Sequence, residues 1–435
     1  MRHLRGLLLA LVCATALVAI VLASGAAARS SHRSDNITLT VWDTETDAGP
    51  SREMNTLISQ FEKAHPNVTV KRVSKAFDDY TSTIKLAASS NKAPDLFEGN
   101  EGYQIDQPLV EAKLIIPIDK YAKQYGWYKR FGSIATIADL RWTSDGKTWG
   151  SGPLWGIPQK AEVVGVFYNK KTLAKLGLQV PKTFAAFQHT LAVAAAKKVP
   201  PIMVGNLDRW PMGHVFMVLQ SHFEQAGKVA SWTYGHPGAT FDTAGTRQAA
   251  TVLQQWAKAG YFESGFNGVG QTNAAARFAK GEGLYFITGP WENATFADPM
   301  GNNVGFFTVP PGSARTTGAV SLPWHISSKS PHQDTAAALL DFLTNDHAAG
   351  VVARSGDLPA AKPPASALKK GSSLAAIVAA WHAKSSSGAL TPYLDWATAT
   401  MGDTLFGGLQ ELTGNKTSPS DFTKKVQADW HKSHG

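Results

Sequence analysis

A two-lobed α/β fold is what this sequence predicts, and three observations predict it. The chain has 435 residues, more than one hydrophobic core of ordinary size organises. Hydrophobic residues make up 43% and charged residues 17%, a balance that builds packed cores rather than a disordered chain. From residue 37 onward, strand-like and helix-like segments alternate, as they do where helices cover sheets.

The elements follow in order. Residues 29–36 are polar and serine-rich and read as a flexible leader. Residues 37–42 alternate like a half-buried strand. Residues 43–50 form a polar loop, after which Met54, Leu57, Ile58 and Phe61 recur at helical spacing. His65-Pro66-Asn67 stops that helix, and residues 68–73 are a second strand. Residues 80–88 read as a helix and 95–97 as a short strand, while the apolar run 114–118 is interrupted by Pro117. Aromatic residues and glycines dominate 126–152, which read as loops and short pieces. Residues 163–168, rich in β-branched side chains, read as one strand. Residues 183–197 are alanine-rich and helical behind Pro181. Residues 246–259 are amphipathic, with Val252, Leu253 and Trp256 on one face. A strand over 284–288 ends at Gly289-Pro290, a helix follows over 335–343, and the chain beyond Pro364 is mostly helical with a serine break at 385–387. No shift in composition marks a linker, which suits a chain that crosses between its lobes more than once.

The first 28 residues carry an export pattern: Arg2 and Arg5, an apolar run from Leu7 to Ala23, then Ser24-Gly25-Ala26-Ala27-Ala28. They are expected to act as a signal peptide or, since the run is long, as a membrane anchor. The only cysteine, Cys13, falls in this segment, and Ala10-Leu11-Val12 lacks the small residue that a lipoprotein signal places directly before its cysteine. Beyond it the chain can form no disulfide, cysteine nucleophile or thiolate metal site. The net charge is +9, but the basic residues are scattered rather than blocked, which points away from nucleic acid.

Common catalytic signatures are missing. There is no HExxH pair, no GxSxG elbow and no GxGxxG after a strand. Gly146-Lys147-Thr148 resembles the end of a phosphate loop, but Arg141 stands where its first glycine belongs. The histidines are dispersed, and no metal or cofactor is implied. Two carboxylates distant in sequence can still form a glycoside-cleaving pair, so a secreted glycoside-active enzyme is the enzymatic alternative.

Six stretches stand out in order. They are Trp42 with Phe61-Glu62-Lys63-Ala64-His65-Pro66-Asn67-Val68; Ala93-Pro94-Asp95-Leu96; Trp155-Gly156-Ile157-Pro158 with Tyr168-Asn169-Lys170, Leu176-Gly177-Leu178 and Pro181-Lys182-Thr183-Phe184; Phe278-Ala279-Lys280-Gly281-Glu282 leading to Gly289-Pro290-Trp291; Thr317-Gly318-Ala319 with Pro323-Trp324-His325-Ile326 and Asp341-Phe342-Leu343; and Gly356-Asp357-Leu358-Pro359. Each is weak alone. Over nearly all of residues 37–430 their order resembles the extracellular solute-binding proteins of ABC importers, in the sugar-binding branch of the maltose-binding protein family. The resemblance implies a periplasmic-binding-protein-like fold with hinge strands and an interlobe ligand cleft. It implies a first lobe of residues 37–155 plus 310–350 and a second of 156–309 plus 351–435. It also implies an exported, periplasmic or cell-surface monomer that captures a sugar or oligosaccharide by lobe closure, delivers it to a membrane permease and catalyses nothing.

A sugar offers apolar C–H faces, which flat rings cover, and hydroxyls, which carboxylates and amides bind. The chain holds 13 tryptophans. By the resemblance, Trp291 in Gly-Pro-Trp is the leading stacking platform, and Trp324 and Trp396 lie in matching segments. Trp210 sits in a polar loop after Ile202-Met203-Val204 and joins them as a pocket-lining ring. Polar candidates follow the strands: Asp43, Glu45 and Asp47 after the strand ending in Trp42, Asn100 and Glu101 after the short one, then Gln159 and Asp357. Glu162 lies six residues before Tyr168, where the resembled sugar binder has an acidic contact. Asp95 reads as structural. Glu98-Gly99-Asn100 stands where such binders often place an aromatic residue, which leaves the sugar open. A binder of a polyamine or other non-sugar solute is the remaining alternative; acids, not tryptophans, would dominate its cleft.

Overall fold

The computed structural model describes residues 36–132, 135–308, 315–320 and 322–435. The expected signal or anchor segment 1–28, Cys13 and the leader up to residue 35 lie outside the described residues. Among those described, no helix is long and apolar enough to cross a membrane.

In chain order the strands are β1 (Ile37–Asp43), β2 (Val68–Ser74), β3 (Leu96–Glu98), β4 (Arg141–Trp142), β5 (Trp149–Leu154), β6 (Ala161–Val163), β7 (Gly165–Asn169), β8 (Ile202–Met203), β9 (Tyr285–Thr288), β10 (Val304–Phe307), β11 (Thr316–Val320), β12 (Trp324–Ile326) and β13 (Leu390–Thr391). Eight of them build two four-stranded sheets, one per lobe, and β4 pairs with β5 alone. The first has the order β12-β3-β1-β2, and the second β10-β7-β9-β8. In the first sheet β1 runs parallel to β2 and β3, which requires a helical crossover between them. The expected alternation holds: Leu39 and Val41 of β1 are fully buried. The helix Ala48–Ala64 supplies the first crossover, burying Met54, Leu57, Ile58 and Phe61.

A third sheet, β13-β11-β6, carries the chain between the lobes. Beside it, Ile157 bridges Trp324, and Lys160 bridges Pro359. The crossings therefore lie side by side, formed by residues 157–163, 316–320 with 322–324, and 357–360.

Three expectations change. The single strand read over 163–168 is two strands in two different sheets, β6 and β7. The break falls at Val164, whose N–H donates to Thr317 O at 2.8 Å and whose carbonyl accepts from Thr316 Oγ1 at 2.7 Å. Trp210 is not in a loop; it opens the helix Trp210–Phe223, which has Pro211 in its first turn. Residues 211–221 of this helix are all buried, so it has no one-sided apolar stripe by which to recognise it. Finally, a lobe boundary at 350/351 would fall inside the helix Asp346–Arg354, so the crossing comes after Arg354.

Candidate ligand cleft

The floor of the cleft is charged. Lys160, just before β6, is buried and pairs with Glu45 at 2.6 Å, Asp357 at 3.3 Å and Glu53 at 3.6 Å. Glu45 follows β1, Glu53 lies on the helix Ala48–Ala64, and Asp357 lies on the third crossing, so one ammonium ties the first lobe to the hinge. Burial opposes the charge on Lys160, but its three carboxylates outweigh burial and hold the ammonium well above its usual range. One cation cannot serve three acids equally. Burial pushes Glu53 up to about 8, although Lys160 opposes the rise. Next to this cluster, Arg72 of β2 donates from Nε to Asp43 Oδ2 at 2.6 Å and from Nη2 to Oδ1 at 2.8 Å.

Above the floor runs a row of rings. Trp210 and Trp291 have centroids 6.4 Å apart, and both meet His214, at 5.2 and 5.3 Å. His214 meets Tyr393 at 5.8 Å, Tyr393 meets Trp396 at 5.1 Å, and Trp396 meets Trp149 at 6.1 Å. Trp291 reaches this row because the chain turns at Gly289: a Cβ there would stand 1.9 Å from the Trp291 ring.

Polar atoms without protein partners accompany the rings. Both carboxyl oxygens of Glu101, both side-chain polar atoms of Gln159 and Nδ1 of His214 are buried with no hydrogen bond. Buried polar groups are almost always bonded, so such atoms fit a site completed by a ligand. Burial, reinforced by the carboxylate of Asp106, pushes Glu101 well above the usual carboxylate range. Burial lowers His214 to about 3. His214 is therefore neutral at pH 7, burial favours the protonated form of Glu101, and both side chains are able to hydrogen-bond. Burial and then Glu162 raise the Tyr393 phenol, which places the Glu162 carboxylate beside the ring row.

The lobes meet at both ends of the cleft. At one end Tyr234 Oη donates to Asp139 Oδ1 at 2.6 Å, and Tyr103 Oη donates to the Tyr234 carbonyl at 3.1 Å. At the other, Arg52 faces Asp298 at 3.6 Å, and Gly49 lies against Ala294, where a Cβ would come within 2.9 Å.

The thirteen candidates read from the sequence therefore separate. Trp210, Trp291 and Trp396 share the ring row; Glu162 stands beside it, and Glu101 and Gln159 carry unpartnered polar atoms. Asp43, Glu45 and Asp357 are held in ion pairs with Arg72 and Lys160. Trp324 is fully buried in the core that also holds Leu39, Leu96 and Ile326. Trp42 is half-buried under the Lys75 ammonium, 4.4 Å from its ring centroid. Asp47 is exposed before the helix Ala48–Ala64, and its charge adds to burial in raising Glu292 to about 7. Asn100 is buried, and its N–H donates to Asp106 Oδ1 at 2.9 Å. Asp95 accepts from Thr40 N at 2.8 Å and Ser330 Oγ at 2.5 Å, as a structural residue does.

Sequence reasoning missed Lys160, Glu53, His214 and Tyr393. Two of them left a signal. Glu53 lies four residues before Leu57 and eight before Phe61, on the apolar stripe of its helix, and His214 interrupts an apolar run.

The family of bacterial extracellular solute-binding proteins matches residues 47–350, well over half of the chain. The chain belongs to this family. It is 22% identical to the multiple sugar-binding protein of Streptococcus mutans over 331 residues, 73% of this chain and 74% of that protein. It is also 22% identical to the galactooligosaccharide-binding protein of Bacillus subtilis over 334 residues, 73% of this chain and 71% of that protein. YcjN of Escherichia coli aligns over 177 residues at 25% identity, covering 40% of this chain and 38% of that protein. Among solved structures, a chitin oligosaccharide binding protein superposes with a TM-score of 0.78 at 20% identity, covering 92% of this chain and 99% of that one. RafE in complex with raffinose gives 0.70 at 18% identity, covering 92% and 100%. Likeness at this identity establishes the shared fold, with two lobes about a cleft.

Proposed function

We propose that this protein is the exported capture component of an ABC importer. It binds a sugar or oligosaccharide reversibly between its lobes, acts as a monomer and passes the solute unaltered to a membrane permease. The observation that carries this reading is the ring row from Trp210 to Trp396 with buried, unpartnered polar atoms beside it. The rings cover a sugar's apolar faces, and Glu101, Gln159 and His214 meet its hydroxyls without confronting it with a formal charge. The Streptococcus and Bacillus relatives are named as sugar- and galactooligosaccharide-binding proteins, which supports the same class of solute. We assign ligand contact to Trp210, Trp291, Trp396, Tyr393, Glu101, Gln159, Glu162 and His214, and hinge or core roles to Asp43, Glu45, Asp357 and Trp324. Closure is the functional motion, since the crossing strands bend while each lobe keeps its sheet.

The test is tryptophan fluorescence and thermal melting of residues 29–435 against a panel of mono- and oligosaccharides, with the sugar recovered afterwards. A spectral shift and a raised melting temperature with the sugar intact are expected. Conversion of the sugar would show a glycoside-active enzyme instead, and a response to polyamines alone would replace the solute class.

A further inference from the structure

Trp210 meets His214 and Trp291 in the ring row, and the backbone that leads into it is strained. Arg209 has φ 66° and ψ −43°, and the Trp210 N–H donates to the Asp208 carbonyl, two residues back, at 2.8 Å. That bond and those angles make a γ-turn of the rare, strained kind, whose central residue has φ of about +75° and ψ of about −65°. We propose that this turn makes Arg209 a positioning residue for the solute, fixing the Trp210 ring in the ring row before any solute arrives. The inference rests on the sugar-capture reading and extends it to a residue that acts only through its neighbour.

Three observations carry it. The first is that the conformation answers no local need. Lys113, Lys198 and Asn415 also have positive φ, but each stands just beyond the end of a helix, where a left-handed residue stops the helix and helps satisfy its carbonyls. Arg209 precedes the helix Trp210–Phe223 and has no helix end to close.

The second is that the surroundings hold the turn shut. The Asn206 N–H donates to the Phe266 carbonyl at 2.8 Å, the Leu207 N–H to the Val269 carbonyl at 3.0 Å and the Gln271 N–H to Asp208 Oδ2 at 2.7 Å. Past the turn, the Met212 N–H donates back to Asn206 Oδ1 at 3.2 Å. Strained backbone persists only where neighbours over-determine it, and it gathers at ligand sites.

The third is Pro211, which closes the other side. Its ring fixes its own φ and restricts the residue before it, Trp210. The tryptophan is thus held from both directions along the chain, and a ring ordered before binding loses little freedom when a sugar stacks on it. The charge of Arg209 is a separate matter. Its Nη2 faces Asp403 at 3.1 Å with both side chains exposed, a pair of the kind that contributes little.

The experiment is calorimetric titration of the parent and three variants with raffinose, maltotriose, xylotriose and chitotriose. Arg209→Val puts a β-branched residue where positive φ is poorly tolerated. The turn opens, Trp210 leaves its place, and affinity for the sugar that binds is expected to fall at least fivefold. Arg209→Gly adopts the same turn without strain and should bind within twofold of the parent. So should Arg209→Ala, which removes only the contact with Asp403. Near-ultraviolet circular dichroism supplies the second measurement: the signal that Trp210→Ala removes should be lost from Arg209→Val and kept by the glycine and alanine variants. Parent affinity in Arg209→Val overturns the role of the turn and leaves sugar capture standing. The same follows if the glycine or alanine variant is as weak as Arg209→Val, or if Arg209→Val weakens binding while keeping the Trp210 signal. Binding of none of the four sugars by the parent overturns the capture reading and this one with it.

Discussion

Two buried polar regions of the cleft follow opposite rules. At the hinge, the charges are answered from within the chain: Lys160 faces Glu45 and Asp357, with Glu53, which burial raises to about 8, beside it, and Arg72 grips Asp43. Along the ring row, both carboxyl oxygens of Glu101, the amide of Gln159 and Nδ1 of His214 have no internal partner; burial keeps His214 neutral and favours the protonated form of Glu101. The difference follows from the cost of burying charge. An ion is tolerated away from water only beside a counter-ion, and without one it gives up its charge. The hinge acids therefore have a counter-ion within the chain, while the ring row, under the proposed function, is answered by the hydroxyls of its solute. The two regions should respond oppositely to substitution.

The largest expected effect is at the hinge. Lys160→Met leaves Glu45 and Asp357 buried with no cation, and breaking a buried pair typically costs about 3–5 kcal/mol. For a chain of this size that corresponds to a fall in melting temperature of roughly 4–6 °C. Scanning calorimetry of the free protein at pH 7.5 measures it. An unchanged melting temperature would mean that the cluster does not hold the crossing strands, and the contrast between the regions would fail.

Trp291→Ala sharpens the contrast from the other side. The ring is only half-buried, so its loss opens the ring row without opening a core. Affinity for the sugar should fall tenfold or more, as truncation of an aromatic anchor costs about 2 kcal/mol or more, while the melting temperature of the free protein moves by less than that of Lys160→Met. Asp43→Asn is the matched control, with sugar affinity expected within threefold of the parent. If Asp43→Asn weakened binding as much as Trp291→Ala, the division between hinge and ligand groups would be wrong.

What could be read from the sequence follows the range of the interaction. Strand β1 and the helix Ala48–Ala64 show their periods within their own residues, and both stand where the sequence puts them. Trp291 and Trp396 were singled out only through the resemblance of their segments to the sugar-binding family, and Glu101 because it follows β3. Lys160 was not. It sits in Pro158-Gln159-Lys160-Ala161, with nothing local to mark it, and its partners lie about a hundred residues before it and two hundred after. The split of 163–168 was hidden for the same reason: Val164 breaks the strand by bonding to Thr316 and Thr317, far along the chain. Local pattern reveals elements and exposed chemistry, but the crossings between lobes are made of distant pairs.

The smallest expected effect is in pH, and its sign decides the matter. Burial raises Glu53 to about 8 and Glu292 and Asp139 to about 7 in the folded protein, above the ordinary values near 4 that they take when unfolded. Between those limits the folded state holds more protons than the unfolded one, so stability falls as pH rises from about 4.5 through 8. The positive net charge of the chain works the other way, because self-repulsion weakens as pH rises toward neutrality of charge. A melting temperature that declines by about 2–5 °C from pH 5.5 to 8.5 therefore reports the buried acids and not the overall charge. Glu53→Gln, which cannot ionise, should flatten the upper half of that decline. A melting temperature that stays level or rises over the same range would place these carboxyls in an ionised, solvated state, and the opposition between an internally paired hinge and a neutral ring row would lose its physical basis.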